Sequence, residues 1–171
     1  MGFDNPQHIA HHPSARVLGV AITTTKIDQE FGDQESTGCF RIYDDQTFTR
    51  EPMCTGTAVR PVRLTHTTGC LASSEIPLEQ GEKPTSLSLI EMGPDGLSYF
   101  ALGTTFENSP DDAGASNSGN LRLIKVRTDD VSGRPAAAEV FAKHQLNGTV
   151  YDIKGIWGML AVAVDHRVSY A

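Results

Sequence analysis

Three histidines crowd the amino terminus, His8, His11 and His12, and the i, i+4 spacing of His8 and His12 would let two imidazoles clasp one divalent metal if the segment were helical. Pro6 and Pro13 bracket it, and no acidic or cysteine ligand joins it at metal-site spacing, so the stretch reads as an edge strand or a surface loop. Asp111-Asp112 and Asp129-Asp130 carry enough charge to attract a hard cation. Neither pair sits in the alternating-ligand, glycine-containing pattern of a calcium loop, and both read as solvated turns. Cys39, Cys54 and Cys70 are widely spaced, odd in number and form no Cys-x-x-Cys pair; they signal neither a disulfide framework nor a zinc site. A serine or cysteine nucleophile would need a histidine base and an orienting group, and the chain has no Gly-x-Ser-x-Gly elbow and no His-Glu-x-x-His helix. No catalytic, cofactor-binding or metal-binding residue is therefore assigned, and a non-enzymatic chain is expected.

Charge and length narrow the alternatives. A net charge of −7 over 171 residues is the opposite of the basic footprint of a domain that grips nucleic acid by its phosphates. Contact with DNA or RNA is expected only indirectly, through a partner. The start, MGFDNPQHIAHH, lacks the basic and apolar regions of a signal peptide, and no apolar run reaches bilayer length, so a soluble intracellular protein is expected. Asn147-Gly148-Thr149 fits a glycosylation sequon but reads as a turn.

The elements that would position any site are short apolar runs separated by turn residues, with almost no helical periodicity. Strands are expected over 16–23, 38–43, 48–50, 86–92, 97–103, 119–127, 137–145, 149–153, 159–164 and 167–170. Gly93-Pro94-Asp95-Gly96 supplies a fixed φ, an Asx bond and a positive-φ position in turn order, and Asp44 to Thr47 offers capping side chains for another tight turn. Residues 107–118, polar and short-sided, read as a surface loop. Met159 to Val164 is apolar on both faces, which suits an inner strand.

Two segments carry a resemblance: YFALGTTFENSPDDAGASNSGNLRLIKV from Tyr99 to Val126, and LNGTVYDIKGIWGMLAVAVDHRVSYA from Leu146 to Ala171. An aromatic pair (Tyr99-Phe100) leads to Leu102-Gly103-Thr104, an acidic loop, Gly119-Asn120-Leu121-Arg122-Leu123, then Gly148-Thr149-Val150-Tyr151 and Gly158-Met159-Leu160-Ala161. In this order the motifs resemble the third propeller of the cleavage and polyadenylation specificity factor A subunit family. Gly103, Gly119, Gly148 and Gly158 are expected at strand ends, where the chain turns or passes close to a neighbour.

The Asp44-x-x-Thr47-Phe48 hairpin, the short connection from Thr25 to Gly38, and Glu82 followed by Ser86-Leu87-Ser88-Leu89 are most similar to the family's DNA-damage-binding branch. The resemblance implies an all-β fold, a partial β-propeller of about two to three blades, with residues 1–171 a fragment of one propeller domain. Residues 53–75 match nothing in the family and read as a loop insertion or translated non-coding sequence. The implied function is a scaffold joining cullin-RING ligase components to substrate receptors in DNA repair and protein ubiquitination, in the nucleus and also the cytoplasm. The polyadenylation or splicing branch is the alternative, and a small metal-binding β module or enzyme a more remote one. Propeller strands bury large aromatics between blades, so Trp157 and Phe141 are expected to be buried rather than exposed for recognition.

Overall fold

The computed structural model describes residues 2–27, 34–46, 75–93, 96–106, 118–128 and 135–170. The described residues form eleven strands and no helix. The first antiparallel sheet runs β1 (Gly2–His12), β2 (Val17–Ile27), β3 (Gln34–Asp44), β4 (Glu75–Pro77); the second runs β5 (Glu82–Met92), β6 (Leu97–Phe106), β7 (Gly119–Thr128), β8 (Pro135–Leu146). The third has β10 (Met159–Val164) between β9 (Val150–Ile156) and β11 (Arg167–Tyr170). In each sheet, strands that follow one another in sequence pair side by side. The fold is all-β, and its stacked meanders are those of a partial propeller.

Sheets stack because strand faces alternate. On β2, Val17 and Ala21 point into a core shared with Phe40, Ile42, Phe100, Leu102 and Ile124, while Val20 and Ile22 meet Cys39 on the other side. Gly19 lies between the first pair because a Cβ there would stand 2.8 Å from the rings of both Phe40 and Phe100. A second core joins the second and third sheets through Ile90, Tyr99, Ala101, Leu121, Val150, Ile153, Leu160, Val162 and Val164.

The edge strands β5 and β9 of the second and third sheets face each other and run in parallel sense: the Thr85 hydroxyl donates to the Val150 carbonyl, and five residues further along Ile90 flanks Gly155. Hairpin turns that leave these strands consequently open on one face of the molecule.

Several sequence expectations need correction. Of the two readings open for the histidine segment, the edge strand is the one found: eleven residues paired with β2, with a register shift between Pro6 and His8. The expected strand over 86–92 begins at Glu82, since Pro84 is accommodated beside a bulge between Pro84 and Ser86. Gly103 lies inside β6 rather than at its end; a Cβ there would overlap Val150 of the next sheet, so close approach is the reason for glycine. The turn at Gly93–Gly96 is present, with the Gly96 amide donating to the Gly93 carbonyl at 3.3 Å.

The Gln46 amide donates to Asp44 Oδ1 at 2.9 Å, the capping expected there. β10 is the inner strand its composition suggested. The expected strand over 48–50, residues 53–74, 107–117, both aspartate pairs, Cys54 and Cys70 lie outside the described residues. Glu75, the last residue of the unmatched stretch, already belongs to β4, and Ser118 accepts the Phe106 amide at 2.8 Å.

Candidate functional site

The residues with chemical potential occupy opposite ends of β5 and β9. At the start of β5, Glu82 is fully buried and its carboxylate collects five donors. Thr104 Oγ1 donates to Oε1 at 2.6 Å, Asn120 Nδ2 at 2.8 Å and Arg122 Nε at 3.3 Å; the Glu79 amide donates to Oε2 at 2.9 Å, where Arg122 Nη2 also binds. Burial pushes the carboxyl pKa up, but the Thr104 hydroxyl, the backbone at Glu79, Arg122 and Asn120 outweigh it and hold it below the ordinary glutamate value. With every lone pair engaged and no open space beside it, this carboxylate has no capacity left for proton transfer to a substrate. It fastens β5, β6 and β7 together. Among the described residues, no three His, Cys, Asp or Glu side chains converge as a metal site.

The histidines separate. Because the segment is a strand, His8 and His12 lie about 13 Å apart along it, too far to share an ion. His12 is buried rather than at the surface: its Nδ1 accepts the Ala15 amide at 3.2 Å, and its ring packs edge-on against Phe100, 5.6 Å between centroids. Burial lowers its pKa, so the ring is held neutral. Exposed His11 places Nε2 3.0 Å from Asp45 Oδ2. Burial also lowers the pKa of His8.

The other end of the strands carries the hairpin face. Here the expectation for the two aromatics is overturned: Trp157 is 95 % exposed and Phe141 60 % exposed. Trp157 and Gly158 form the two-residue loop that joins Ile156 to Met159, with φ of 50° and 78°, the type I′ pattern. A turn residue escapes the inward and outward alternation that buries strand residues. Phe141 is the extra residue of a bulge between Val140 and Ala142, which turns it off the buried side of β8. Its ring still reaches Tyr99, 5.2 Å between centroids.

Two grooves open on this face. One is lined by Leu89, Ile90, Glu91, Gly155, Trp157 and Gly158, the other by Met92, Gly93, Leu97, Tyr99, Leu123 and Phe141. Ile156, Met159 and Val168 add exposed apolar surface on the third sheet. No family model matches the chain, and no curated protein matches it.

The conformation of Trp157 carries a cost. A left-handed backbone disfavours an ordinary L-residue by about 1–2 kcal/mol, and Asn or Gly suits that turn position better. The chain follows this rule one hairpin later, where Asp165 takes a φ of 47°. Trp157→Asn relieves the strain and forfeits almost no burial, so it is expected to raise the melting temperature by about 2–4 °C. Thermal unfolding followed by circular dichroism checks this, and a lower melting temperature would show that the indole is held by contacts its exposure does not suggest.

Proposed function

We propose that this chain is a non-catalytic protein-interaction scaffold, and that it works through the hairpin face. The observation that carries the reading is Trp157: a large aromatic held almost wholly in solvent, in a backbone conformation that a smaller residue would adopt at less cost. The buried polar network of Glu82 offers no reactive group, whereas the hairpin face offers two grooves, of which the one beside Tyr99 and Phe141 is lined mainly by apolar surface, as a docking surface requires.

The sequence motifs support a finer proposal: a propeller fragment related to the cleavage and polyadenylation specificity factor A subunit family, in the branch that links cullin-RING ligases to substrate receptors in the nucleus. Nucleic acid would then be reached through a partner, in keeping with the net charge of −7. The test is affinity purification of the tagged chain from nuclear extract. Recovery of cullin-ligase components, reduced by Trp157→Ala, is the expected result. Recovery of splicing or cleavage factors without cullin would move the protein to an RNA-processing branch and overturn the proposal.

A further inference from the structure

We infer that Asn147 is a site of spontaneous deamidation in the folded protein, and that the isoaspartate formed there loosens the third sheet from the second. Asn147 and Gly148 lie in the connection from β8 to β9 and are the only Asn-Gly pair in the sequence. Asn147 is exposed, and its carboxamide makes no hydrogen bond among the described residues, so it is free to turn onto the following peptide. The Gly148 amide donates to no acceptor among the described residues either, and glycine has no side chain to shield it. The next residue is different: the Thr149 amide donates to Asp165 Oδ1 at 2.9 Å, which withholds it from reaction. Asn120 is different too, because it is buried and its Nδ2 donates to Glu82 at 2.8 Å.

The reaction needs only water. Once the Gly148 nitrogen has lost its proton, it attacks Asn147 Cγ; the new C–N bond closes a succinimide, and the side-chain nitrogen takes up a proton and leaves as ammonia. Water then opens the ring at either carbonyl. One opening gives aspartate, and the other gives isoaspartate, in which the main chain runs through Cβ and is one carbon longer. Nothing is oxidised or reduced.

That extra carbon cannot be absorbed locally. Leu146 is fixed opposite Gly119, and a Cβ on Gly119 would stand 2.7 Å from the Gly148 carbonyl oxygen. Gly148 itself has a φ of 142°, and a Cβ there would overlap Asp165. Beyond it, the Thr149 carbonyl accepts the Asp165 amide at 3.0 Å and the Thr149 hydroxyl meets that of Thr105 at 2.9 Å. A longer chain between these anchors must displace β9. Aspartate keeps the original length and requires no displacement.

The inference is independent of the scaffold reading and is tested on the purified 171-residue chain, incubated in neutral buffer beside a sample unfolded in urea. Residues 144–154 form a tryptic peptide in which Asn147 is the single asparagine; its mass and its labelling by isoaspartyl methyltransferase measure conversion. The native chain is expected to convert within about tenfold of the rate in urea. A site that reacts only after global unfolding would lag by about a thousandfold or more, and that result overturns the inference. Asn147→Gln should show no conversion on the same timescale, because its longer side chain closes a larger ring. In the isoaspartate form, separated by chromatography, hydrogen exchange should quicken in β9 and β10 and stay unchanged in β2 and β3, while Asn147→Asp exchanges as the unaltered protein does. Equal exchange in the isoaspartate form and in Asn147→Asp would overturn the loosening of the third sheet.

Discussion

Replacing Glu82 with alanine is expected to destabilise the protein by about 3–5 kcal/mol, a large share of what holds a domain of this size together. The carboxylate is the common acceptor for Thr104, Asn120, Arg122 and the Glu79 amide, so its removal orphans several buried donors at once. Arg122 suffers most. Its side chain is 8 % exposed, and the remaining carboxylate within reach, Glu79 at 3.7 Å, is itself 53 % exposed and too well solvated to replace Glu82. Removing both ends of the pair, as Glu82→Leu with Arg122→Met, should recover much of the loss, because the isolated buried charge is then gone. Urea unfolding of the two single variants and the double variant measures this coupling. A double variant as unstable as the sum of the singles would show that shape, not charge, governs the site.

The same network sets a pH dependence. Folding holds the Glu82 pKa below its ordinary value of 4.5, so the native state favours the ionised form. Its contribution to stability is fully present above that value, and is lost as pH falls below it through the lowered native pKa. Glu82→Gln has no proton to gain, and its stability profile should be flatter than that of the unaltered protein in this acidic window. Parallel profiles would mean that the carboxylate is not ionised in the fold.

How much of this was legible beforehand depends on what kind of signal each residue gave. The turn at Gly93–Gly96 and the inner position of β10 follow from local chemistry, a glycine with positive φ in one case and two apolar faces in the other, and both stood in the sequence. The Glu82 network did not. Its side-chain donors lie 22 to 40 residues from Glu82 along the chain, and only strand pairing brings Thr104 and Asn120 to the start of β5. Asn120 and Arg122 alternate with Leu121 and Leu123 in one strand motif, and that alternation places both on the same face. Nothing in the sequence said that Glu82 would meet them there. Trp157 departs from its expected burial for a different reason: strand alternation does not govern a residue whose neighbour, Gly158, marks a turn. An aromatic residue directly before glycine, between two apolar runs, was the available clue. Phe141 depended on a bulge, and bulges leave no reliable mark in one sequence.

Phe100→Ala is the second change with a large expected effect, about 3–5 kcal/mol, and its consequences extend beyond an ordinary core cavity. The ring is fully buried and lies between two sheets, 5.3 Å from Phe40 and 5.6 Å from His12 by centroids. Both of those partners belong to the first sheet, whereas Phe100 belongs to the second. Deleting it therefore weakens the contact between sheets more than the strand pairing within either, and unfolding should become less cooperative as well as easier. Gly19 tests the assignment. In the unaltered protein Gly19→Ala forces a methyl to within 2.8 Å of both rings and should cost about 1–3 kcal/mol, because neither ring has room to withdraw. In the Phe100→Ala background half of that obstruction is gone and the new methyl enters the cavity, so the two changes together should cost measurably less than their sum. Strict additivity in urea unfolding would mean that the two sheets do not meet at Gly19, and that the stacking of the first blade on the second rests on other residues.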